Sequence, residues 1–147
     1  MKDLLYLKDD DLKEFIEKIF VSYRESFNDA KKTLDKYSLG IAHHKVIHLL
    51  SINEGIVISE LLKKLKITKQ SLNRVIKDLK KFEIIEFKRG EKDSRLKHVF
   101  LSTKGIKISE EIFSSQKLRI YNALLNSTSN EVNNFYKVLK KIINEKI

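Results

Sequence analysis

Five residues in the middle of the chain, Lys69, Gln70, Asn73, Arg74 and Lys77, each carry a hydrogen-bond donor. On a helix, where residues three and four apart are neighbours, they share one face of ammonium, amide and guanidinium groups. Such a face matches base-pair edges in a DNA major groove, where Arg and Lys pair with guanine and Gln and Asn with adenine. Lys63, Lys64, Lys66, Lys80 and Lys81 flank it and suit phosphate oxygens, which add affinity without sequence information. The competing reading is a solvated, lysine-rich helix face. A second cluster, "KRGEKDSRLKH" at residues 88 to 98, sets Lys88, Arg89, Lys92, Asp93, Arg95 and Lys97 around Gly90. Its simplest reading is a solvated hairpin tip in which Gly90 permits the turn.

A third cluster is His43, His44 and His48. His44 and His48 lie one helical turn apart, as a metal pair can, but no third ligand stands nearby in sequence. A packed or interface histidine pair and a small-molecule pocket are the other readings, and the expectation is no metal. Nothing pairs a nucleophile with a base, cradles a phosphate with glycines or sets two carboxylates at a working distance, so no enzyme is expected. The absence of cysteine removes disulfides, thiolate metal sites and thiol chemistry.

The elements that must position these groups can be read from apolar spacing. Leu12, Phe15, Ile16, Ile19, Phe20, Tyr23, Phe27, Ala30 and Leu34 stripe one face of a long first helix, with Asp9, Asp10 and Asp11 as its N-cap and first-turn acids. That length exceeds what a core helix in a small chain needs, which points to packing on a second copy. Another helix is predicted over residues 41 to 52, with Val46, Ile47, Leu49 and Leu50 inward and "NEG" ending it near Gly55. Ser59 can cap a short helix carrying Leu61, Leu62 and Leu65, and Thr68 the next, with Leu72, Val75, Ile76, Leu79 and Phe82 inward. Two short helices joined tightly make a helix-turn-helix. Residues 84 to 88 and 96 to 101 read as a hairpin with both faces partly covered. A helix from Ser102 or Thr103 to Leu125 follows. A last one starts at Thr128, with Glu131 completing a capping box, and buries Val132, Phe135, Leu139, Ile142 and Ile143.

Composition agrees with one compact unit over residues 1–147. The net charge is +10, but residues 1 to 35 carry −2 while residues 59 to 98 carry +7. A lysine-rich codon bias raises lysine everywhere and does not by itself produce an acidic first helix beside a basic centre. The basic centre implies a polyanionic partner. No apolar run approaches the roughly 20 residues that cross a bilayer, and the first residues are too acidic for a secretory signal, so a cytoplasmic protein without membrane contact is expected.

Helix, short helix, helix and ribbon is the winged helix-turn-helix order, and residues 58 to 105 resemble the MarR family of bacterial transcriptional regulators. The match rests on Asp93, Ser94 and Arg95 after the helix pair, followed by "VFLSTKG" with Gly105 as the closing glycine. "AHHKVIHLL" and "ITKQSLNRVI" further resemble a subgroup of alphaproteobacterial regulators. The implied fold is mainly α with a small β-hairpin wing (α+β). Residues 41–103 would form the DNA-binding lobe, and residues 1–40 and 104–147 the dimerisation helices. The resemblance also implies that Arg95 enters the minor groove from the wing, oriented by Asp93, while Lys88, Arg89, Lys92 and Lys97 follow phosphates. It implies a homodimer on double-stranded DNA, more often a repressor, with a small aromatic or anionic effector between dimerisation helices and lobe. Tyr23, His43 and His44 would line that pocket. Two departures stand out: the family's glycine after the recognition helix is Glu83 here, and its first-strand arginine is Phe87, for which Lys88 or Arg89 would have to substitute. The contrasting reading is a winged-helix protein that compacts DNA without sequence preference or docks another protein.

Overall fold

The computed structural model describes residues 4–145. A short 3-10 turn at Leu5–Leu7 leads into α1 (Asp9–Lys36), whose first turn holds Asp9, Asp10 and Asp11 against the positive end of the helix dipole. Lys8 occupies the N-cap position without a side-chain cap bond, so the aspartates act through charge alone. Only the C-terminal part of the stripe is buried in the chain: Ala30 and Leu34 are enclosed, whereas Leu12 to Tyr23 lie open to solvent.

α2 (Ile41–Ile52) buries Val46, Ile47 and Leu50, with Leu49 half-buried. Gly55 turns the chain at φ 76°, in the region that favours glycine. The next two residues, Ile56–Val57, form β1, a strand absent from the sequence-based expectation. α3 (Ile58–Leu65) therefore starts directly at the strand's end with Val57 in the cap position, and Ser59 does not cap it. α4 (Lys69–Lys81) is capped as expected, with Thr68 Oγ1 accepting the Ser71 amide. Its inward face places Leu72, Val75 and Leu79 in the core. At roughly 2–5 kcal/mol for truncating one such leucine, this face fixes the helix, while propensity contributes little.

β2 (Ile85–Arg89) and β3 (Lys97–Leu101) pair antiparallel, and β1 joins the far side of β3, giving the sheet order β1-β3-β2. Val99 is fully enclosed, and His98, Phe100 and Leu101 are half-covered, as the mixed alternation implied. α5 (Thr103–Leu125) is capped by Ser102, and α6 (Ser129–Ile142) by the Thr128–Glu131 box.

One core joins α1, α2, α3, α4, the sheet and the first half of α5. A polar seam extends it along α1 and α5. Tyr37 donates to Glu111 at 2.9 Å, Gln116 donates to the Ser26 carbonyl at 3.0 Å, and Arg119 grips both oxygens of Asp29 at 2.5 and 3.0 Å. α6 differs from the expectation: it buries no residue within the chain, and Phe135, Tyr136, Ile142 and Ile143 are exposed. Among the described residues only Val132 and Leu139 of its apolar stripe are even half-covered.

Candidate nucleic-acid interface and adjoining cavity

Lys69, Gln70, Asn73, Arg74 and Lys77 are all exposed on α4, opposite its buried leucines. At 3.6 residues per turn Lys80 and Lys81 fall on the same side, extending the donor face to the helix end. One carboxylate interrupts this helix, and α2 holds it: Asp78 Oδ2 lies 3.0 Å from His43 Nε2. The Gly40 amide donates to His43 Nδ1 at 3.0 Å, which puts the imidazole proton on Nε2, so His43 donates to Asp78. Asp78 is thus held towards α2 by a hydrogen bond that leaves its charge in place. Of the lysines assigned to phosphate, Lys63 pairs with Glu60 at 3.2 Å, and Lys64, Lys66 and Lys81 are exposed.

The far end of α4 is fastened by three neighbouring residues of the "LSTKG" stretch. Ser102 Oγ donates to the Glu83 carbonyl at 2.6 Å, and its own amide donates to the Ile84 carbonyl at 2.9 Å. The Lys104 ammonium donates to the Phe82 carbonyl at 2.8 Å, at the negative end of the recognition helix. Gly105 lets α5 approach so closely that a Cβ there would overlap the Ile84 carbonyl oxygen. Glu83 adopts φ 59°, with its amide bonded to the Lys80 carbonyl and that of Ile84 to Leu79. These two bonds are a Schellman ending, in which the left-handed residue is ordinarily glycine. The departure at Glu83 therefore lies in the side chain and leaves the backbone path intact.

In the wing, Lys88 sits opposite His98 and Arg89 opposite Lys97. The expectation that Gly90 permits the turn through backbone freedom needs correction, because Gly55 is the glycine with positive φ among the described residues. Gly90 serves by lacking a Cβ: one there would meet the Asp93 carbonyl oxygen at 2.7 Å and His98 Nε2 at 3.1 Å. Asp93 and Arg95 form the unit that the sequence suggested. The Arg95 amide and Nε donate to Asp93 Oδ1 at 3.0 and 3.1 Å, and its Nη2 donates to Oδ2 at 3.3 Å. The Arg95 guanidinium, and secondarily its amide, hold the Asp93 carboxyl below the usual carboxylate range. Arg95 is nevertheless 90% exposed, so the aspartate aims it without withdrawing it from solvent. Lys92 is exposed beside the pair.

A cavity of about 480 Å³ opens between α1, α2 and α5, with Ile47, Ile112, Phe113 and Ile120 as apolar wall and His44, His48 and Gln116 as polar groups. A smaller space of about 260 Å³ shares those three polar residues and adds Tyr23 and Lys45. Of the residues assigned to an effector pocket, His44 lines both spaces and Tyr23 the smaller one. His43 lines neither, because consecutive helical residues point about 100° apart and its ring is spent on Asp78. Burial, and then the neighbouring His48, push the His44 imidazole below its ordinary value, with Gln116 acting in the opposite direction. Among the described residues no group of three His, Asp or Glu side chains gathers as a metal site, and no helix is long and apolar enough to cross a membrane.

A profile of the MarR family matches residues 37–96. The HTH-type transcriptional regulator PetP of Rhodobacter capsulatus is 34% identical over 140 residues, spanning 95% of this chain and 84% of PetP. The chain belongs to the MarR family of transcriptional regulators. The similarity to PetP agrees with the subgroup that "AHHKVIHLL" and "ITKQSLNRVI" resemble. The MarR-family fold is shared with a mutant of MepR from a multidrug resistant S. aureus clinical isolate, at TM-score 0.74 and 17% identity over 88% of this chain and 95% of that one. The S. aureus MepR–DNA complex superposes at TM-score 0.60 and 22% identity, over 84% of this chain and 93% of MepR. The MarR-family fold expected from the sequence is therefore observed, with β1 as a third strand. Sequence reasoning passed over Asp78 and Lys104. The two left no local signal, because each acts across more than twenty residues of chain on a partner that only the fold supplies.

Proposed function

We propose that this MarR-family regulator acts in the cytoplasm as a homodimer on a pseudo-palindromic operator and represses transcription until a small molecule enters the α1/α2/α5 cavity. In this reading Lys69, Gln70, Asn73, Arg74 and Lys77 read the major groove, Arg95 reads the minor groove, and the remaining lysines hold phosphates. The observation that carries it is Arg95: a guanidinium braced at two points by Asp93, which also takes its backbone amide, and still 90% exposed is built to meet something outside the chain. The MepR–DNA complex, of the same fold, supports duplex DNA as that partner. The unpartnered stripes of α1 and α6 support a second copy, which would place two recognition helices about one helical turn of DNA apart. The cavity, apolar with two histidines and a nearby Lys45, suits an aromatic or anionic effector.

The decisive experiment selects bound fragments from the source genome, then titrates a selected and a random duplex at physiological salt. A preference of roughly a thousandfold or more is expected. Uniform binding would replace this reading with that of a DNA-compacting protein. Light scattering should return about twice the 17.3 kDa chain mass, and a monomer at micromolar concentration would remove the paired-helix geometry.

A further inference from the structure

We propose that Phe87 is a positioning residue for DNA binding, whose ring gathers Lys80 of α4 and Lys97 of β3 into a two-armed clamp on the phosphate backbone. The Lys80 ammonium lies 5.6 Å from the Phe87 ring centroid and that of Lys97 lies 5.9 Å from it. Both are within the distance, about 6 Å, at which the negative face of an aromatic ring attracts a cation. Phe87 is half-buried and packs against the core, so its ring is an anchored surface and not a mobile one. The two lysines come from different elements, the last turn of the recognition helix and the start of the second wing strand.

Neither ammonium has a carboxylate within ion-pair distance among the described residues. A ring attracts each cation but cannot neutralise either, and two like charges beside one ring repel. An anion with several oxygens relieves that repulsion, and phosphate is the form in which DNA offers it. Restricting two flexible side chains before DNA arrives also lowers the entropy lost on binding, so the ring adds affinity without touching the duplex. Arg89, opposite Lys97 across the ladder, widens the same cationic surface. The inference rests on the DNA-binding reading and adds to it a residue with no donor of its own.

The test measures DNA affinity of the full chain against salt concentration for Phe87→Leu, Phe87→Tyr, the double variant Lys80→Gln/Lys97→Gln, and that double variant carrying Phe87→Leu. Loss of two phosphate contacts per chain, four per dimer, should flatten the slope of log K against log salt by about 3.6 in the lysine double variant. Phe87→Leu should weaken binding by about five- to tenfold at low salt and flatten the slope in the same direction, with an unchanged melting temperature. Phe87→Tyr, which keeps the ring, should restore both. In the double variant, Phe87→Leu should have no further effect. If Phe87→Leu leaves the slope intact, or costs as much without the lysines as with them, the clamp is wrong even though the regulator reading survives. If the lysine double variant itself keeps the full slope, the phosphate assignment of Lys80 and Lys97 fails, and the clamp with it. Should Phe87→Leu lower the melting temperature, Phe87→Met, which fills the same space without a ring, is read in its place by the same criteria.

Discussion

The seam between α1 and α5 and the face formed by α4 and the wing handle charge in opposite ways. Along the seam two cations have carboxylate partners: Arg119 grips Asp29, and Lys36 pairs with Glu111 at 3.2 Å. On α4 the carboxylate is the group with a partner, Asp78 on His43, while the five donors stand open. Apolar groups reverse the pattern. The DNA-facing helix has its leucines fully enclosed, whereas α1 and α6 leave Phe15, Phe20, Phe135 and Tyr136 in solvent. Each surface is incomplete in one respect, charge at one end and apolar area at the other, which is the observation behind the proposed partners: a polyanion in the first case, a second copy in the second.

The two regions meet where α5 crosses the start of β2, and the largest effect is expected there. Gly105→Ala would drive a methyl group into the Ile84 carbonyl, a backbone atom that cannot swing aside. A loss of about 3 kcal/mol is expected, seen as a melting temperature roughly 6–12 °C lower. DNA binding should fall with it, since Ser102 and Lys104 fasten the end of the recognition helix from the same turn. A stable variant that binds DNA normally would show that the joint tolerates sliding.

The comparison sharpens when one arginine is removed from each region. Arg95→Ala should weaken operator binding by about 1–3 kcal/mol and leave the melting temperature unchanged. Arg119→Ala should do the reverse, lowering the melting temperature slightly and sparing the operator. Equal behaviour of the two would mean that partnered and open charges do not divide structure from function.

Glu83 tests the same boundary from the backbone side. Its left-handed φ of 59° is a conformation that L side chains adopt at a cost of roughly 1–2 kcal/mol. Glu83→Gly should therefore stabilise the chain by about 1 kcal/mol in chemical denaturation, after allowing for the extra freedom glycine gains when unfolded. A destabilised variant would mean that the glutamate side chain makes up for its backbone. At the position where the family has glycine, the turn is kept and only its ease is reduced.

What was legible in the sequence was local. Thr68, Ser102 and Thr128 each cap a helix because a hydroxyl three residues before an amide needs nothing from elsewhere in the fold. The pairing of Asp93 with Arg95, two residues apart, was implied by the family resemblance, and its bonds are equally local. Ser59 failed as a cap because β1 is tied to β3, with Ile56 opposite Val99, and the strand delivers the chain into α3 two residues earlier. A two-residue strand has no periodicity of its own, so its existence depends on a partner some forty residues away. His43 and His44 looked alike in sequence, but the helix sends one to Asp78 and the other to the cavity. Phe87 was noticed for the arginine it replaces, not for the two lysines beside it.

The smallest effect is expected at the cavity between α1, α2 and α5, where His44 is a lining group whose titration is displaced by its surroundings. Burial and the proximity of His48 disfavour its charged form in the folded chain. The unfolded chain therefore takes up a proton near the ordinary value of 6.5 while the folded chain resists it. Between the lowered value and 6.5 the unfolded state binds more protons, so stability rises with pH; it is fully present above 6.5 and is lost as pH falls through that window. The melting temperature should drop between about pH 7.5 and about pH 5.5 in the parent and drop less in His44→Gln, which keeps a hydrogen-bonding group but cannot charge. If an anionic effector occupies the cavity, its charge favours the protonated ring and should shrink the same drop, whereas a neutral aromatic ligand should leave the pH dependence in place. The two outcomes separate the effector classes that the cavity's shape alone admits.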